Sequence, residues 1–176
     1  MESRKARSLA ILCIAVWLTG IVGMAVVATQ NFYIIDPLLQ AQANPAFAAD
    51  IEKLGHDETR ALLYFLSSEL NRLYFQYWNI AQLLIGLPAL WLVIKIPGSE
   101  RPKWYVVAML GVVLFLTVLI TPPMLSVGRS IDFVPRVPPP SGLRTFGLLH
   151  AAYTVFDGIE LILGIMVALW LIKQKD

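Results

Sequence analysis

Charge and cysteine are both scarce in this 176-residue chain. Charged residues make up 15% of the sequence, whereas soluble domains average about a quarter. Cys13 is the single cysteine, so an intrachain disulfide and a cysteine metal site are excluded. The two histidines show no metal-binding spacing, and no basic cluster interleaved with aromatic residues suggests nucleic acid. We therefore expect no metal, no cofactor and no nucleic-acid partner.

Apolar residues are abundant, at 57% of the chain. A helix needs about 20 consecutive apolar residues to cross the hydrocarbon core of a bilayer. Four stretches satisfy this length, at residues 8–29, 73–94, 104–121 and 145–172. The sequence thus predicts a single all-α domain, a polytopic four-helix transmembrane bundle whose partner is the lipid bilayer.

The flanks of these spans predict the orientation of the chain. The first apolar run, about 20 residues long, exceeds the h-region of a signal peptide, so we expect it to be retained as a helix. With four spans, the short basic flanks all fall on one side, which favours the cytoplasm. The flanking residues are Arg4, Lys5, Arg7, Lys95, Arg101, Lys103, Lys173 and Lys175. We expect a multi-pass protein of the plasma (inner) membrane with both termini cytoplasmic.

The two external connections differ in composition. Residues 30–72 predict a helical insertion, because Asn44 and Pro45 can begin a short helix that Gly55 ends. Asp57 is then expected to cap a helix that projects from the membrane and runs without a break into the second span. Residues 122–144 form a proline-rich connection that we expect to be extended.

Polar residues recur at helical spacing within the second and fourth spans. Facing stripes would satisfy polar groups that lipid cannot. The fourth span contributes His150, Tyr153, Asp157 and Glu160, and the second contributes Arg72, Gln76, Asn79 and Gln82. Because both spans run in the same direction, we expect His150 near Gln76, and Asp157 near Asn79 or Gln82. These eight residues form the candidate intramembrane polar site, with no catalytic residue among them.

Two carboxylates within one span are unusual, because an acidic residue at a helix centre costs about 2.5–3.5 kcal/mol on the insertion scale. One interpretation is that Asp157 and Glu160 form interhelical hydrogen bonds that hold the bundle together. The other is that they exchange protons as a coupled pair, with at least one of them protonated at neutral pH. The sequence leaves both interpretations open.

Other residues have simpler interpretations. A hydrogen-bonded His150 near the outer mouth of the bundle is favoured over a haem or metal ligand, because the other histidine, His56, lies in the external insertion. Ala15, Thr19 and Gly23 form a small-residue ladder that favours close helix packing. A lone Ser or Thr with no nearby base carries no hydrolase signature, so we expect no enzyme.

Short motifs at the span boundaries resemble the transmembrane protein 205-like family, a group of small four-span membrane proteins. The motifs are Leu70-Asn71-Arg72-Leu73-Tyr74-Phe75, Thr121-Pro122-Pro123-Met124 with Arg129, and Phe146-Gly147-Leu148-Leu149-His150. The resemblance implies a four-helix membrane bundle and matches the Asn71/Arg72 and Phe146/His150 positions to the better-marked sites of that family. It implies no particular reaction.

Three functional hypotheses follow, and a membrane enzyme ranks fourth behind them. The first is passage of protons or a small polar solute through the polar interior, by the chain alone or as a homo-oligomer. The second is a structural or assembly subunit that joins another membrane protein through the projecting helix. The third is a redox subunit that holds haem or copper.

Overall fold

The computed structural model describes residues 2–41, 44–134 and 137–174, and every regular element within them is helical. The predicted all-α fold is confirmed. The helices are α1 (Glu2–Tyr33), α2 (Ile35–Ala41), α3 (Pro45–Leu54), α4 (His56–Ile94), α5 (Glu100–Phe115), a π segment (Leu116–Ile120), α6 (Thr121–Ser130) and α7 (Gly142–Lys173).

Four long helical stretches are apolar and long enough to cross a membrane, as an integral membrane protein requires. They are Ser3–Ala41, His56–Ile94, Glu100–Ser130 and Gly142–Lys173. Large apolar side chains on all four point away from the bundle, including Leu12, Ile80, Val118 and Ile162, which are each more than half exposed. An apolar outer surface of this extent fits contact with lipid.

The bundle places α1 and α5 between α4 and α7, so that α4 and α7 occupy opposite corners. Successive spans alternate in direction, so the start of the first span and the end of the last span lie at the same end of the bundle. There the Arg7 guanidinium donates a hydrogen bond to the backbone carbonyl of Gln174. We call this the terminal end, and we call the end that carries α2, α3 and α6 the loop end.

The interior of the bundle differs between its two ends. Toward the terminal end it is an apolar cluster in which Ile14, Val93, Val106, Val167 and Leu171 are all buried. Toward the loop end a smaller cluster of Leu116, Ile120, Met124 and Tyr153 surrounds polar side chains. The closely packed apolar half holds the spans together, whereas the other half positions the candidate site.

The insertion between the first two spans forms the predicted short helix. Asn44 occupies the N-cap of α3, where its side-chain oxygen accepts hydrogen bonds from the amides of Ala46 and Phe47. Gly55 ends α3 with φ of +93°, a conformation that glycine adopts without steric cost. The same glycine begins α4, so the prediction that Asp57 is the N-cap is wrong. Asp57 lies in the first turn instead, where an acidic residue complements the helix dipole.

The long helix predicted from the insertion into the second span is confirmed as α4, which has 39 residues. Its projecting part is packed against the insertion itself. Ile35 and Leu39 of α2 and Ile51 of α3 form a buried cluster that Leu63 and Tyr64 of α4 complete. A two-contact ion pair also joins α2 to α4, because Arg60 donates to both carboxylate oxygens of Asp36, at 2.6 and 3.0 Å.

The prediction of an extended chain from Pro122 is wrong for residues 122–130, which form α6. Pro122 and Pro123 lack amide hydrogens, so they cannot complete regular bonds to the carbonyls four residues earlier. The preceding turn widens instead, and the Thr121 amide bonds the carbonyl of Leu116, five residues back. The prolines then lie at the start of α6, where proline is tolerated.

Three other expectations either changed or involve residues outside the described ranges. Positions 42, 43, 135 and 136, which belong to the predicted external connections, are outside the described residues. Between α6 and α7, the described residues 131–134 and 137–141 are not α-helical, and α7 begins at Gly142 rather than at Thr145. The small-residue ladder of α1 points away from the bundle, because Ala15, Thr19 and Gly23 are all exposed. Close packing of this ladder within the chain is therefore wrong.

Candidate functional site

A hydrogen-bonded chain crosses the bundle axis between opposite corners. The hydroxyl of Tyr153 on α7 donates to the side-chain oxygen of Asn79 on α4, at 2.7 Å. The Asn79 amide then donates to the Thr121 hydroxyl at 3.0 Å, at the junction of the π segment and α6. All three residues are buried. The two predicted polar stripes thus face each other, and Tyr153 is the residue that links them.

Gln82 lies one turn further along α4 and is fully buried. Its side-chain oxygen accepts a 2.9 Å hydrogen bond from the indole nitrogen of Trp17 on α1. Gly86 makes this arrangement possible, because a Cβ there would lie 2.6 Å from the Trp17 ring. The Gln82 amide nitrogen has no partner among the described residues. A buried donor without a partner is costly, so a polar molecule that accepts its hydrogen bond would be stabilised at this position.

Glu160 is fully buried, with 0% of its surface exposed. Both of its carboxyl oxygens are buried and have no hydrogen-bond partner among the described residues. One oxygen of Asp157, a turn closer to the loop end, is likewise buried and unpartnered. An ionised carboxylate in such surroundings costs several kcal/mol, whereas a neutral carboxylic acid costs far less. Within the described part of the chain, no cation bonds the unpartnered oxygens of these two acids.

A network of ion pairs covers the loop end of the polar interior. Arg72, 7% exposed, donates to both carboxylate oxygens of Asp132, at 2.8 and 3.1 Å, and to Glu69 at 2.5 Å. Arg129 of α6 completes the network with two 3.1 Å hydrogen bonds to Glu69. Two guanidinium groups and two carboxylates give this cluster no net charge. It ties α4 to α6 and to the residues that follow α6.

Beside this network lies an open-sided pocket of about 80 Å³. It is formed by residues of α1, α4, α6 and α7, and most of its surface is apolar. Its lining residues are Phe32, Ser68, Asn71, Arg72, Phe75, Met124, Leu125, Phe146 and His150. Phe75 also contacts Tyr153 edge-on, with ring centroids 5.0 Å apart. The pocket therefore adjoins the hydrogen-bonded chain of the bundle interior.

Two of the eight predicted site residues do not join the buried interior. Gln76 is exposed, and its amide bonds the backbone carbonyl of Arg72 in its own helix, at 3.0 Å. His150 is also exposed and stacks on Phe146, with an interplanar angle of 11°. No contact between the His150 and Gln76 side chains is seen, and their predicted approach stays a prediction. The other six residues lie in the bundle interior or at its loop end.

Comparison with known proteins identifies no relative of this chain. No family model, curated protein or solved structure matches it. The resemblance to the transmembrane protein 205-like family therefore remains a prediction from its motifs. The positions that carry this resemblance come together in the structure, because Asn71, Arg72, Phe146 and His150 all line the pocket.

Sequence reasoning missed the partners of the polar stripes. Trp17 and Thr121 bond Gln82 and Asn79, and Asp132 holds Arg72. A single tryptophan in an apolar span carries no distinctive pattern, so nothing in the sequence singled out Trp17 as a partner of Gln82. The signal for Thr121 was its place before two prolines, where the backbone must depart from a regular α-helix.

Proposed function

We propose that this protein passes protons through the polar interior of its four-helix bundle, without an enzymatic step. The observation that carries the proposal is the Glu160 carboxyl, which is fully buried with both oxygens unpartnered. Hydrogen bonding between helices does not explain it, because it bonds none of the described residues. A buried acid without a counter-charge binds a proton when the bundle is dry and releases it when water enters.

The proposed route begins at the pocket of the loop end and follows the polar side chains inward. It passes the Tyr153 hydroxyl and Asp157 and reaches Glu160, which lies two turns of α7 from Tyr153. Beyond Gly164 the interior is apolar and closed by residues such as Val167 and Leu171. In this proposal protons reach Glu160 from the loop end. Passage requires a rearrangement of the apolar half.

For the location of the protein we propose the plasma membrane, with the terminal end in the cytoplasm. Basic residues at that end support this orientation. Lys95 lies 3.4 Å from the centre of the Trp91 ring, which is a typical anchor at a membrane interface. In this orientation the pocket opens on the side opposite the cytoplasm.

Proton flux into liposomes tests the proposal. The purified protein would be reconstituted with a trapped pH-sensitive dye, and a potassium diffusion potential would drive protons inward. We expect wild-type flux above that of empty liposomes, and a fall of at least about tenfold in Glu160→Gln, because an amide cannot take up and release a proton. Asp157→Asn should reduce the flux as well.

Thr154→Val is the matched control. Thr154 is exposed on the same helix, and its hydroxyl bonds the backbone carbonyl of His150. We expect this variant to keep wild-type flux. Gel filtration and thermal unfolding in detergent would establish that each variant is folded. A folded Glu160→Gln variant with wild-type flux would refute proton passage through this site.

A further inference from the structure

The pocket at the loop end has a lining suited to a ring. Four aromatic side chains, Phe32, Phe75, Phe146 and His150, border it, and Met124 and Leu125 complete its apolar wall. An engineered cavity of about 150 Å³ encloses benzene. A pocket of about 80 Å³ with an open side therefore admits one edge of a ring and leaves the opposite edge outside.

The charges around the pocket favour an uncharged ligand. Arg72 is the cation of the lining, and its guanidinium is already bonded to Asp132 and Glu69. The surrounding cluster has no net charge, because Arg129 also pairs with Glu69. An anion would have to displace these carboxylates, and a cation would meet an already paired set of acids.

Hydrogen-bonding groups remain free in the lining. In the part of the chain that the structure describes, neither the Ser68 hydroxyl nor the His150 ring makes a hydrogen bond. Both side chains can donate to an oxygen on the inserted edge of a ligand. The Asn71 side chain is occupied, since it bonds Asn31 and the carbonyl of Ala28. These two free donors would pair with an acceptor oxygen on an otherwise apolar ring.

The position of the pocket indicates how such a ligand would arrive. Its α4 residues, at positions 68–75, lie at the start of the apolar stretch 73–94, so we infer that the pocket is near the membrane boundary. We propose that it binds the ring of a membrane-soluble quinone, with a ring carbonyl directed at Ser68 and His150 and the tail in the bilayer. The proposal is for binding alone and holds whether or not the protein passes protons.

Thermal unfolding of the protein in phosphatidylcholine nanodiscs tests the proposal, with decylubiquinone as the probe. A ligand that binds the folded state raises the unfolding temperature in a saturable manner. We expect saturable stabilisation of the wild type, and an affinity lower by about tenfold in His150→Phe, which keeps a ring but loses the donor. Ser68→Ala should also weaken binding.

A second measurement locates the site. A photoreactive azidoquinone should label pocket residues of the wild type, and Met124→Trp, which fills the pocket, should abolish that labelling. Thr154→Val is the control and should bind as the wild type does. Unchanged decylubiquinone affinity in both His150→Phe and Ser68→Ala would overturn the proposal. Saturable stabilisation by phosphatidylglycerol but not by decylubiquinone would overturn it too, in favour of an anionic lipid.

Discussion

Arg72 and Arg129 share the carboxylate of Glu69, yet their surroundings differ. The side chain of Arg72 is 9% exposed and that of Arg129 is 57% exposed. Removing one partner of a buried ion pair leaves an uncompensated charge, whereas surface pairs contribute little. We expect Arg72→Met to lower the free energy of unfolding by about 2–4 kcal/mol, and Arg129→Met to lower it far less.

Chemical unfolding in mild detergent would measure this difference. Raising the salt concentration should weaken the exposed pair more than the buried one, which supplies an internal control. Equal destabilisation by the two substitutions would show that Arg72 is not the centre of the network.

Among individual residues, the sequence predicted the polar residues of the second and fourth spans better than the residues that contact them. Helical spacing identified Tyr153, Asn79 and Gln82, because polar residues are rare in an apolar span and their positions stand out. It did not identify Trp17, whose ring is an ordinary component of an apolar helix until its nitrogen meets Gln82. The exposure of Gln76 was also unpredictable. A polar stripe along a helix has residues at its edges, and helical spacing alone does not show whether such a residue faces the bundle interior.

Among the elements, the π segment is the one most directly tied to the site. Thr121 ends it, accepts the hydrogen bond of Asn79 and precedes two prolines. Replacing both prolines, Pro122→Ala with Pro123→Ala, restores the amides that a regular α-helix requires. We expect the π segment to become α-helical, and Thr121 to rotate away from Asn79.

Hydrogen exchange would detect the change as new protection at positions 122 and 123, and proton flux should fall because the hydrogen-bonded chain is interrupted. Pro88→Ala is the control, since Pro88 is exposed inside α4 and away from this chain. A double variant that retains the bond from the Thr121 amide to the Leu116 carbonyl would show that the prolines do not cause the wide turn.

Element by element, the sequence predicted helices well and their continuation after prolines poorly. Hydropathy identified the four spans, and cap residues identified α3, because both signals are local. The extension of helix through 122–130 depends on how α6 packs against α7 and on the ion pairs of Arg129. Those contacts join distant parts of the chain, so a rule based on proline content alone predicted an extended segment.

The molecule as a whole has its two ends on opposite sides of a membrane if the proposed topology is correct. In a Cys13→Ala background, Lys53→Cys should react with a membrane-impermeant maleimide on intact cells, and Lys173→Cys should react only after lysis. Both positions are exposed, so access to the reagent depends on the side of the membrane. The opposite labelling pattern would reverse the topology and place the pocket in the cytoplasm.

The division of the bundle into a polar half and an apolar half has an electrical consequence. If water enters the polar half during proton passage, the transmembrane voltage falls mainly across the apolar half, between Glu160 and the terminal end. One elementary charge moved through the full field is worth about 2.3 kcal/mol per 100 mV. Arrival of a proton at Glu160 would therefore be nearly independent of voltage. The release of this proton past Val167 and Leu171 would carry most of the voltage dependence. The membrane potential would therefore change the rate of proton release and leave the rate of proton arrival almost unchanged.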